Sequence, residues 1–202
     1  MSALADLLVN ASPAIGDINI SPPVEDKGLK TLLTTRNGYY AFDKALWVFA
    51  SHSAAHEPGL DHPEIANWAR KYPKTKGVSH AFAVDIFGYP YCVSDQGVLK
   101  LDLETGRFMR IGEDIEGWAK RVLDHFEQLT GWSCLKEWER ENGALPVGYR
   151  LLPRLPFIGG GARSSDNLIA VPLTELIGFY AELAAQVRNL PDGAEIEIQD
   201  EL

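Results

Sequence analysis

The sequence predicts an α+β fold, an antiparallel meander sheet with helices packed on one face. Two observations come from the middle of the chain. The turn signals Asp95-Gln96-Gly97 and Glu104-Thr105-Gly106 divide residues 80–111 into short strand-like runs joined as hairpins. Directly behind them, Ile115, Trp118, Val122, Phe126 and Leu129 recur at helical spacing and predict one amphipathic helix over 113–129. The third observation is their order: consecutive strands flanked by helices make an α+β domain.

Taken from the N-terminus, residues 2–10 read as a short helix and "ASPAIGDINISPPVED" as a proline-punctuated loop. A second helix covers 25–36 and ends at Asn37-Gly38, since glycine takes the left-handed conformation past a helix C-terminus. "ALWVFA" is a buried strand. "HPEIANWARKY" is a helix with Pro63 at its first position, where a missing N–H costs nothing, and with Ile65, Trp68 and Tyr72 on one face. The meander follows: "HAFAVDIFG", stopped by Gly88, then "YPYCVS", "VLKLDL" and "RFMRI".

After Trp132 the character changes. "CLKEWERENG" is helical and closes at Gly143, whereas "ALPVGYRLLPRLPFIGGGARSSDN", rich in proline and glycine, is expected to run over the surface. "NLIAV" reads as a strand. "PLTELIGFYAELAAQVRNL" reads as a helix with Leu173, Leu176, Ile177, Tyr180, Leu183 and Val187 inward, and "AEIEIQDEL" as an edge strand. The expected organisation is an α+β domain over 1–131 and a C-terminal extension over 132–202, packed on the same domain.

Bulk properties narrow the function classes. Hydrophobic residues at 46% and charged residues at 23% belong to a folded, soluble chain. No apolar run approaches the ~18 residues a membrane helix needs. The first apolar stretch has no preceding Lys or Arg, unlike a signal peptide, and Cys92 and Cys134 make no disulfide framework. The expected location is the cytoplasm. A net charge of −9 argues against direct nucleic-acid binding, which needs a basic face; solubility alone accounts for it, and the sharper reading is a basic partner approached by electrostatic steering.

Reactive patterns are scarce. "HEPGLDH" fails as a zinc motif, because its second histidine is six positions on and Pro58-Gly59 break the helix that would align both rings. No P-loop, Rossmann glycine pattern or nucleophile elbow occurs. Successive N–H groups of Gly159-Gly160-Gly161 before Arg163 could cradle an anion, but a flexible connector explains the run more simply. Cys92 and Cys134 have no base nearby in sequence. No catalytic residue, cofactor or metal is expected. Asp85, Asp95, Asp102 and Glu104 cluster around the meander; each has a structural or solvated reading, and together they are also the first candidates for partner contact. Asp192, Glu195, Glu197, Asp200 and Glu201 form a second acidic patch. Aromatic residues gather at Tyr39–Phe49 and at Trp118–Trp138, mostly as expected core, with any left exposed as candidate interface anchors.

"NGYYAFDKALWVF" together with "AFAVDIFGYPYCVSDQGVLKLDLETGRFMRIGEDIEGWAKRVL" resembles the SMI1/KNR4 (SUKH) superfamily. The residues that carry the likeness are Phe82, Ala83, Asp85, Phe87 and Gly88, the Glu104-Thr105-Gly106 hairpin, and Trp118. The tail from "LPRLPFIGGG" onward is similar to the extension of bacterial members. The resemblance implies a non-enzymatic immunity protein that binds and neutralises a cognate protein toxin of the polymorphic or contact-dependent type, often a nuclease. Its fungal branch implies a regulatory scaffold instead. A hydrolase assembled from spatially gathered carboxylates is the third class.

Overall fold

Six strands in chain order form one antiparallel sheet in the structure, a computed structural model that describes residues 2–17, 22–72 and 77–187. The strands are β1 (Tyr39–Ala41), β2 (Leu46–Val48), β3 (Val78–Val84), β4 (Pro90–Ser94), β5 (Gly97–Leu101) and β6 (Phe108–Gly112). The expected meander supplies β3 to β6, and "ALWVFA" supplies β2. β1 is an addition. Its three residues, between Gly38 and a turn, are too few for alternation to be read. At Gly97 the β4–β5 hairpin demands glycine: φ is +101°, and a Cβ would lie 2.4 Å from the Gly112 carbonyl oxygen.

Register decides what each face carries. Val48, Ala83, Tyr91 and Lys100 are successive cross-strand partners and share one face; Tyr40, Trp47, Val84 and Pro90 share the other. The first face is covered by α4 (Ile115–Asp124), whose Trp118 packs edge-on against Phe82 and Tyr91. Against α4 lie α1 (Ala3–Val9) and α2 (Lys27–Thr35). Side-chain oxygens of Ser2, Asp26 and Asp114 cap these three helices by accepting from Ala5, Leu29 and Gly117 N–H groups.

The single helix expected over 113–129 is broken at His125, where φ is −139° and ψ 35°, and resumes as α5 (Phe126–Thr130). The break turns Phe126 out of the core to a half-buried position stacked on Phe42. α5 ends at Gly131, so the Leu129 carbonyl is left without a helical partner and accepts from Tyr91 Oη and Lys100 Nζ, both at 2.6 Å.

The segment expected to run over the surface is partly internal. β7 (Tyr149–Pro153) pairs antiparallel with β8 (Leu168–Pro172), and Arg150, Leu151 and Leu152 are buried. The cause is visible in one bond: Leu151 N–H donates to the Ile86 carbonyl at 2.8 Å, tying β7 to the end of β3. Arg150 lies over the Tyr40 and Trp47 rings, so β7 closes the second face of the sheet. α7 (Leu173–Val187) packs on β7 and β8, and its Leu173, Leu176, Ile177, Tyr180 and Leu183 join the main apolar core. α6 (Trp132–Asn142) buries Leu135 and Trp138 in a second apolar cluster with Ile86, Phe87, Leu151 and Leu168. α3 (Pro63–Ala66) and the 3-10 turn Trp68–Lys71 bury Ile65, Trp68 and Tyr72, the face the spacing predicts.

The two sheet edges differ. Along β1, Ala11 bridges Ala41 and Ser12 N–H donates to the Tyr40 carbonyl at 2.7 Å, so a preceding segment covers that edge. Among the described residues no strand pairs with the outer edge of β6. No described helix is long and apolar enough to cross a membrane. The acidic patch from Asp192 to Glu201, the "AEIEIQDEL" strand and the side chain of Val187 lie outside the described residues.

Candidate partner-binding surface

The four carboxylates singled out around the meander do not make an exposed acidic face. Asp85 closes the turn after β3: one carboxylate oxygen accepts from Phe87 and Tyr89 N–H at 2.9 and 2.8 Å, and the other meets Lys100 Nζ at 2.7 Å. Glu104 is 2% exposed and accepts from Phe157 and Ile158 N–H at 3.0 and 2.6 Å. Loss of hydration pushes its carboxyl above the usual carboxylate range, and the two backbone bonds partly offset this. Asp102 is half-buried and holds the β5–β6 turn by accepting from Glu104 and Thr105 N–H. Asp95 is exposed, at the tip of the β4–β5 hairpin. Three of the four therefore fix the chain's own geometry, and Asp95 alone of the set faces solvent. Cys92, also considered as a nucleophile, is buried, and desolvation pushes its thiol up to about 12.

A different group of residues reaches the surface together. In the turn between β1 and β2, Phe42, Asp43 and Lys44 all have left-handed backbone, with φ of 52°, 53° and 79°. Ala45 N–H donates to the Phe42 carbonyl at 2.9 Å, closing a tight hairpin turn without the Asn-Gly that such turns prefer. Each left-handed non-glycine residue costs roughly 1–2 kcal/mol, so surrounding contacts must hold the turn.

Those contacts come from α5 and α6. Phe42 stacks on Phe126 at 5.0 Å and 11°, and Phe126 meets Trp132 edge-on at 5.5 Å. Trp132 Nε1 donates to Asp43 at 3.0 Å, and Asp43 pairs with Lys136 at 3.5 Å. Lys44 Nζ donates to the Leu145 carbonyl at 2.8 Å, while Glu139 accepts from Leu145 N–H and pairs with Lys136. The product is three half-buried aromatic rings in contact, rimmed by Asp43, Lys44, Lys136 and Glu139. A shallow cleft beside it is lined by Ser12, Tyr40 and the same four charged residues.

Such a surface can bury apolar area on a partner while its rim sets orientation and encounter rate. Its rings are prepositioned, so little side-chain entropy remains to be lost on binding. Sequence reasoning assigned these aromatics mostly to core, with any left exposed as interface anchors, and did not say which those would be. Phe42 lies 84 residues from Phe126 and 90 from Trp132, and the left-handed turn carries no glycine that would betray it. Among the described residues, no three His, Cys, Asp or Glu side chains are grouped to hold a metal ion.

No protein-family model and no curated protein matches the chain. A solved structure does: Atu4351 from Agrobacterium tumefaciens superposes with a TM-score of 0.54 at 13% identity, over 85% of this chain and 83% of that one. At that identity the likeness shows a shared fold.

Proposed function

We propose that this chain is a cytoplasmic protein-binding module of the SMI1/KNR4 type that neutralises a cognate toxin by stoichiometric binding, without catalysis. The observation that carries the reading is the Phe42–Phe126–Trp132 surface built on a left-handed turn. Disfavoured backbone persists where neighbouring contacts over-determine it, and it collects at functional sites. Aromatic side chains held at a surface are the usual anchors of protein interfaces. The net charge of −9 favours a basic partner, since long-range attraction raises the encounter rate with one.

The test is co-expression with the protein encoded beside this gene, using wild type and the Phe42→Ser/Trp132→Ser variant. Survival that depends on the wild type and fails with the variant supports the proposal, provided the variant keeps a wild-type circular dichroism spectrum. Survival in the absence of this protein sinks it.

A further inference from the structure

We propose that the loop over residues 154–167 is a second, preformed docking surface, which takes an acidic protein segment carrying apolar side chains. The glycine run predicts a flexible connector, yet the loop is closed at its base and pinned at its tip. Asn167 accepts from Leu155 N–H at 2.9 Å and donates to the Leu155 and Ala162 carbonyls at 3.0 and 2.8 Å. Arg154 N–H donates to the Asn167 carbonyl at 2.7 Å. The loop passes so close to itself that a Cβ on Gly161 would lie 1.8 Å from the Leu155 carbonyl oxygen. At the tip, Glu104 takes the N–H groups of Phe157 and Ile158, reaching across from the meander. Arg163 lies over the rings of Phe87 and Phe157, at 5.6 and 5.1 Å.

What this frame displays is apolar and basic. Leu155 is 46% exposed and Ile158 42%, two of the large apolar side chains that stand clear of the core. Arg154 and Arg163 are exposed, and neither is paired with a carboxylate among the described residues. The loop's single carboxylate, Asp166, accepts from the Ser164 hydroxyl. Two cationic groups thus flank two apolar ones on a chain whose net charge is −9, a local reversal of sign. A carboxylate buried beneath a surface loop is costly to desolvate, and here it fixes the segment that presents Ile158. A loop held in its binding geometry loses no further backbone entropy on association. An anionic bilayer has matching chemistry, but the whole molecule's negative charge opposes approach to it, so a protein segment is the favoured occupant.

The experiment uses the full chain, amide-assigned by NMR. The probes are a sixteen-residue Glu/Leu amphipathic peptide, a Lys/Leu peptide of the same pattern, and phosphatidylcholine vesicles with and without phosphatidylserine. The Glu/Leu peptide is expected to shift amides between Arg154 and Arg163. The Leu155→Ser/Ile158→Ser and Arg154→Glu/Arg163→Glu variants should each weaken it by about tenfold, while Met109→Ser, at an exposed position on β6, leaves it unchanged. Four results overturn the proposal: no shift in the loop, indifference to both double variants, equal binding of the Lys/Leu peptide, or stronger binding to the anionic vesicles.

Discussion

Lys100 gathers three contacts on one ammonium group: Asp85 at 2.7 Å, the Leu129 carbonyl at 2.6 Å, and the Tyr91 ring at 5.3 Å from its centroid. Lys100→Met is expected to cost ~3–5 kcal/mol in urea unfolding, because it strands a buried carboxylate. The double variant Asp85→Asn/Lys100→Met should lose clearly less than the sum of its single changes. His80 makes a pH prediction. Burial holds its imidazole below the usual value of 6.5, against the pull of Glu25 and Asp26. The unfolded chain therefore takes up the proton first, and stability falls as pH drops through 6.5 until the depressed folded value is reached. In thermal melts between pH 7 and 5, His80→Gln should flatten that slope. The sequence showed Asp85 as a meander carboxylate with a structural or solvated reading, and a structural one requires a partner. Lys100 was not legible as that partner, because the irregularity between Ala81 and Ala83 sets which residues of β3, β4 and β5 align.

The β1–β2 turn is where local and global preferences disagree most. Replacing Lys44, at φ 79°, with glycine removes ~1–2 kcal/mol of left-handed strain. It adds ~0.5–1 kcal/mol of chain entropy cost and forfeits the bond to Leu145. Lys44→Gly is thus expected to leave thermal stability within a few degrees of wild type, while loosening the turn enough to weaken partner binding; calorimetry of the chain and its complex checks both. β3 to β6 were readable because each turn carried its own glycine signal and each strand its own apolar run. β7 was not: Gly148, Pro153 and Pro156 bracket it like a loop, and its burial depends on pairing with β8, fifteen or more residues on. The break at His125 was equally hidden, since Phe126 continues the helical period and turns outward only to meet Phe42. The candidate surface shares that fate, because it is assembled from elements whose proximity no local pattern records.

At the scale of the whole molecule, α7 and the β7–β8 pair complete a core that begins in the meander. A chain ending at Gly131 would uncover Tyr40 and Trp47, along with the main-core contacts of Leu173, Leu176, Ile177, Tyr180 and Leu183. Residues 1–131 alone are expected to lose cooperative unfolding and to bind a hydrophobic dye; a sharp, two-state melt of that fragment would show an independent domain. Because the chain carries −9, association with a basic partner should slow several-fold between low and physiological salt in stopped-flow, and a flat response would exclude steering. The unequal sheet edges bear on self-association. With β1 sheathed by residues 11 and 12, two copies meeting strand to strand have β6 as their shared contact. Such a contact is isologous: it closes on a two-fold axis after one pairing and uses up the β6 edge of both copies.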